Sequence, residues 1–184
     1  MLQEWLVLSL QLPASPSSAR VAAWRRLKAA GAAGMTNGTW ILPRNDHHAA
    51  LLHEIAATVR GHGGQAFVFR ADALGPDEHA AVLQKFLGDR AREYDELAEQ
   101  ASALIAELDR ESRLEKFTFA ELEEVEGEMQ KLASWLDKIR TRDFFPGHRL
   151  KEAESLLARC RAALSLFSAT VYAREGVTDE NAHE

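Results

Sequence analysis

Five cations crowd two short stretches near the start of the chain: Arg20, Arg25, Arg26 and Lys28, then Arg44. Cations on one helix and a neighbouring strand end can neutralise successive phosphates, so the chemistry they suit is the binding of DNA backbone or another anion. The plain alternative is an amphipathic helix whose charges are merely solvated. A small oxyanion would suit the point where these arginines meet a helix start near Ser17 and Ser18, because free N–H groups and the helix dipole attract anions there. Serine in that position is otherwise an ordinary cap.

Three further groups invite chemistry and give less. His47 and His48 stand six and five residues before His53, whereas helical ligand pairs stand three or four apart, so these read as exposed surface histidines and no metal is expected. Glu121, Glu124 and Glu128 share a helical face and, with Glu93 or Asp95, could gather for a divalent cation or proton transfer; a solvated acidic face is the simpler account. Cys160 lies on an apolar stripe where a thiol is usually inert. With no G-x-S-x-G and no phosphate-binding glycine loop, an ordinary enzyme is not favoured and no cofactor is expected.

The elements that would position the cations are legible in the first 75 residues. Trp5 to Leu12 reads as a strand, and the unbroken run Trp5-Leu6-Val7-Leu8 predicts a central strand covered on both faces. Ser15 and Pro16 open a helix with a core stripe of Val21, Trp24 and Leu27, and Gly31 ends it. Strands over 32–36 and 39–42 flank Asn37-Gly38, a dipeptide that accepts positive φ at both turn positions and predicts a two-residue hairpin. Pro43 stops the strand. Asn45 or Asp46 caps a second helix with Leu51, Leu52, Ile55 and Val59 inward, and Gln65 to Arg70 supplies a last strand. Strand, helix, hairpin, helix, strand is the order of a ferredoxin-like βαββαβ domain, assigned to residues 1–75.

Residues 76–174 predict an α-helical bundle of three antiparallel helices, giving an α+β chain. Pro76 opens the first, with Leu83, Phe86, Tyr94, Leu97, Leu104 and Leu108 at helical spacing and Gly88 as a bend. Thr118-Phe-Ala-Glu121 matches a capping box for the second. After Asp143-Phe-Phe-Pro-Gly147, the third repeats Leu150, Ala153, Leu157, Cys160, Leu164, Phe167 and Val171 in steps of three and four, which favours left-handed packing. Tyr94 is read as packed with its hydroxyl on a polar partner, Phe144 and Phe145 as pinning the inter-helix turn. Residues 175–184 read as a flexible tail.

Charge divides unevenly between these parts. Through Gly75 there are seven Lys/Arg against four acids, or +3; the remainder holds 15 against 24, or −9. An anionic partner would meet the first part. One cysteine excludes an internal disulfide, and the apolar start MLQEWLVLSLQLP is interrupted by Glu4 and too short to span a bilayer. A cytoplasmic protein with no membrane association is expected.

These residues resemble the amino-terminal domain of the ChrB-type chromate-resistance proteins. The likeness is carried by Trp5-Leu-Val-Leu-Ser9 with Pro13, Ala19-Arg20, Trp24-Arg25-Arg26-Leu27-Lys28 and Gly38-Thr-Trp40-Ile-Leu-Pro43. In the second half it continues with Glu93-Tyr94-Asp-Glu-Leu97, Lys116 to Glu124, Trp135-Leu and Lys138-Ile-Arg-Thr-Arg-Asp-Phe144-Phe145. The first part is also similar to the central domain of PaaX-type repressors. Both resemblances imply transcriptional control, with DNA as partner and, in the chromate family, regulation of efflux operons. Full-length members carry a further domain credited with sensing, so a separate sensor subunit is an expected partner, as is a second copy in a homo-oligomer, a dimer. Besides a DNA-associated regulator, the chain admits a reading as a non-enzymatic interaction or ligand-binding protein that docks through its helices.

Overall fold

The structure is a computed structural model in which residues 4–13 and 18–175 are described. The chain divides into two compact units, Met1–Arg90 with Thr141–Phe145, and Ala91–Arg140 with Pro146–Glu184.

The first unit contains β1 (Trp5–Gln11), α1 (Ser18–Ala29), β2 (Ala33–Thr36), β3 (Thr39–Pro43), α2 (Asp46–Gly61) and β4 (Gln65–Ala71). The four strands form an antiparallel sheet in the order β2-β3-β1-β4. β1 is central, pairing Leu6 with Leu42 on one side and Arg70 on the other. Its uninterrupted apolar run follows from cover on both faces. Leu6 and Leu8 join Leu27 of α1 and Leu52, Ile55 and Val59 of α2 in one core. Trp5 turns to the opposite face, where Ala33 and Ile41 lie in a second core. Each buried leucine, isoleucine or valine among them contributes roughly 1.5–3 kcal/mol by leaving water.

α1 presents a different stripe from the one expected. Ala19, Ala23 and Leu27 are buried, whereas Val21 and Trp24 are 41% and 50% exposed. Steps of four put the two alanines on the inner face, where the lack of a long side chain lets the helix lie close to the sheet. Arg20, Trp24 and Lys28 then form a neighbouring stripe. The expected opening at Ser15 and Pro16 lies outside the described residues. After α1 the chain turns at Gly31, whose φ of +79° allows Ala32 N–H to donate to Leu27 O at 2.9 Å. Asn37 and Gly38 join β2 to β3 across the closing pair Thr36 and Thr39, with positive φ at Gly38 but not, as the dipeptide would allow, at Asn37, and a register shift between Gly34 and Thr36 marks an irregularity in β2. At the start of α2 the cap is Asn45, which accepts a hydrogen bond from His48 N–H at 2.6 Å.

A single helix, α3 (Pro76–Arg113), follows and continues unbroken through Gly88. Its early apolar positions serve the first unit: Val82, Leu83 and Phe86 pack with Trp5, and Phe86 stacks on Trp5 with ring centroids 5.6 Å apart. Phe145 meets Trp5 edge-on at 6.2 Å, and Phe144 meets Phe86 at 6.0 Å. The Phe144-Phe145 turn is therefore held by the first unit's aromatic cluster, not by the helical core; edge-to-face rings favour the arrangement beyond the burial itself.

In the second unit, the remainder of α3 shares a core with α4 (Phe119–Arg142) and α5 (His148–Arg174). Leu97, Leu104 and Leu108 of α3 meet Leu122, Val125, Met129 and Ile139 of α4, and Ala153, Leu157, Cys160 and Val171 of α5. Thr118 Oγ1 accepts from Glu121 N–H at 3.3 Å, capping α4. Glu111 is buried, an outcome its type does not foretell, and is paired to Arg110 at 2.6 Å and Lys116 at 3.5 Å. Cys160 Sγ donates to Ala101 O at 3.4 Å, and burial pushes its thiol pKa up. No helix among the described residues is long and apolar enough to cross a membrane.

Candidate nucleic-acid interface

The five cations occupy two places. Arg20, Arg25, Arg26 and Lys28 all sit on α1, while Arg44 follows β3 at the end that pairs with the start of β1. Roughly 17 Å of strand, at ~3.4 Å per residue, separates Arg44 from the hairpin end. Four of them thus stand on one helix without sharing one face, since Arg26 reaches α2 and Lys28 reaches α3, and the fifth lies apart.

Most of these charges already have local partners. Arg20 donates to Pro13 O at 2.8 Å, Arg26 pairs with Glu54 of α2 at 2.6 Å, and Lys28 pairs with Asp89 of α3 at 3.2 Å. Arg44 pairs with Glu4, and the hydrogen bond holds that carboxyl below its usual range and raises the guanidinium. Arg25 is exposed and has no ion pair among the described residues. Arg26–Glu54 and Arg44–Glu4 join exposed side chains, and such pairs are weak enough for a phosphate to displace the carboxylate.

Beside the Arg20-Trp24-Lys28 stripe lies a cavity of about 500 Å³ between α1, the end of β1 and the hairpin. Ser9, Gln11, Arg20, Trp24, Asn37 and Trp40 contribute to its wall, and no acidic residue does among those described. Lys28 Nζ stands 5.8 Å from the centre of the Trp40 ring, a favourable place for a cation over a π face. Gly38 has φ +76°, and a Cβ there would overlap the carbonyl oxygen of Leu10. The glycine thus fixes the hairpin beside the cavity. Reading motifs one by one misses this site, although four-residue spacing of Arg20, Trp24 and Lys28 was a usable signal.

The remaining candidates are dispersed. His47 and His53 are exposed, but His48 is only 6% exposed and is no surface histidine. Its Nδ1 lies 2.6 Å from Pro43 O and its ring packs on Phe144, so the cap and the strand end draw it inward. The Asn45 side-chain nitrogen lies 3.0 Å from the same Nδ1; the carbonyl only accepts and the amide nitrogen only donates, so the ring nitrogen serves one of them at a time. Burial lowers the His48 pKa, offset in part by the Pro43 bond. Glu128 lines a different cavity of about 490 Å³ with Glu96, Glu99, Lys131 and Trp135. Asp95 pairs with Arg149. Among the described residues no three His, Cys, Asp or Glu side chains gather to hold a metal ion. Tyr94 is buried in the second unit's core. Of the proposed oxyanion site, Ser17 lies outside the described residues and Ser18 is the first residue of α1.

The family described as Protein ChrB, N-terminal, matches residues 20–178. Protein ChrB of Cupriavidus metallidurans is 31% identical over 162 residues, covering 88% of this chain and 47% of that protein. The chain thus spans about half the length of the curated relative it matches.

Proposed function

The chain belongs to the ChrB N-terminal family, and from that premise we propose that it is a chromate-resistance-related transcriptional regulator, or the DNA-associated subunit of one. In this reading it acts in the cytoplasm and holds nucleic-acid phosphates on α1, with Arg20, Arg25, Arg26 and Lys28 as the contacts and Arg44 as an outlying one. The observation that carries it is Arg25, exposed and without an ion pair among the described residues, between the Arg20-Trp24-Lys28 stripe and Arg26. The +3 charge of residues 1–75 supports the same side of the chain.

The element order and the β2-β3-β1-β4 sheet support a ferredoxin-like domain over residues 1–75. The core shared by α3, α4 and α5 supports a three-helix antiparallel bundle over 76–174. The test is binding to DNA from the gene's own promoter at rising salt. Affinity should fall steeply with salt, and a folded Arg25→Glu/Arg26→Glu double variant should flatten that slope and weaken binding at least tenfold. Binding that ignores both salt and the double variant removes the proposal.

A second reading has its own observation. Leu166 of α5 is 74% exposed beside a cavity of about 310 Å³ lined by Phe117 and Phe167. An apolar side chain so placed suits docking to a second copy or a separate sensor subunit. Light scattering of the parent and of Leu166→Glu tests it: a monomer in both, with no partner recovered, argues against this role.

A further inference from the structure

The cations of α1 account for attraction to phosphate but leave the adjoining cavity without a purpose. Its wall joins two indole faces, Trp24 and Trp40, to the primary amides of Gln11 and Asn37, the hydroxyl of Ser9 and the guanidinium of Arg20. Amides and hydroxyls both donate and accept, as the edge of a heterocyclic base requires. Indole faces stack on any base, whatever its edge. The volume of about 500 Å³ is that of a small-ligand pocket, and the wall described carries positive but no negative charge. Trp24 is half exposed, so a ring laid on it removes apolar surface from water on both partners.

We infer that this cavity is a binding site for a nucleobase that carries a phosphate. The base stacks on Trp24, its edge meets Gln11 and Asn37, and the phosphate faces Arg20. The inference rests on the reading of α1 as a phosphate-facing helix. Bases inside a duplex are already stacked, so the site takes either a free nucleotide or an unstacked base of a strand, while intact duplex is held by the α1 cations alone.

Tryptophan fluorescence of the full chain provides the test, with three probes: adenosine 5′-monophosphate, a ten-nucleotide thymidine strand, and a mixed-sequence duplex. The mononucleotide or the single strand should quench the fluorescence, and which of them suffices identifies the source of the base. Trp24→Ala should remove most of that quenching and weaken single-strand binding about tenfold, within the range found for base–aromatic stacking. Duplex binding should stay within about twofold of the parent, and Trp24→Phe should retain part of the single-strand binding. Trp24 lies outside the buried core of the first unit, so the variants should fold, and Gln11→Ala on an exposed strand end provides an independent check. Quenching by neither small probe, or a Trp24→Ala protein that binds them as the parent does, overturns the inference. Duplex binding without quenching sinks the pocket and leaves the α1 reading standing; quenching without duplex binding does the reverse.

Discussion

Gly38 and Leu10 hold each other in place: Leu10 N–H donates to Gly38 O at 2.8 Å, while the Leu10 carbonyl oxygen fills the space a Gly38 Cβ would need. Gly38→Ala must relieve that overlap and also adopt a left-handed backbone. The overlap costs ~1–3 kcal/mol and the left-handed backbone ~1–2 kcal/mol. A urea titration should show the midpoint falling by the equivalent of about 2 kcal/mol or more at an unchanged slope.

Phe86 should matter to the first unit although it lies beyond the sheet in sequence. It is buried, stacks on Trp5 and meets both Phe144 and Phe145. Phe86→Ala is expected to cost ~3–5 kcal/mol. Loss of the Trp5 contribution to fluorescence at a lower denaturant concentration than in the parent would register it; an unchanged midpoint would mean the cluster contributes little.

The Arg26–Glu54 pair gives a mutation of opposite character. Both side chains are largely exposed, at 40% and 67%, so Glu54→Gln should change stability by less than ~1 kcal/mol. Removing the competing carboxylate should tighten duplex binding at low salt if α1 faces phosphate. Unaltered affinity would place Arg26 outside the interface.

His48 predicts a pH dependence with a definite sign. Burial lowers its pKa from the usual 6.5, so on acidification the unfolded chain takes up the proton first. The stability due to the neutral ring is complete above about 6.5 and is lost as pH falls below that value toward the lower folded pKa. Urea midpoints near pH 7.5 and pH 5.5 should differ more in the parent than in His48→Gln. An equal difference in both would acquit His48.

What the sequence disclosed was local. Asn37-Gly38, the Gly31 stop, the capping Thr118 and the stepped stripe of α5 each depend on residues a few positions apart. What stayed hidden depends on distant partners. The inward turn of His48 needs the Pro43 carbonyl and Phe144, and Phe144 and Phe145 find Trp5 and Phe86 only through folding. α1 misled for another reason: apolar and charged residues alternate around it, so the alanine stripe that packs is quieter than the tryptophan that does not. The basic set showed the same limit. Its residues were visible, but the pairing of Arg26 with Glu54 and of Arg44 with Glu4 spans 28 and 40 positions.

Cys160 makes the helical half able to report on itself. The chain has one thiol, and it is fully enclosed beside Ala101. A disulfide reagent can therefore react only in moments when the helices part, and at low reagent excess the labelling rate measures the fraction of time they spend apart. Any partner that clamps these helices would slow that labelling, so association with the second unit becomes observable from one sulfur atom.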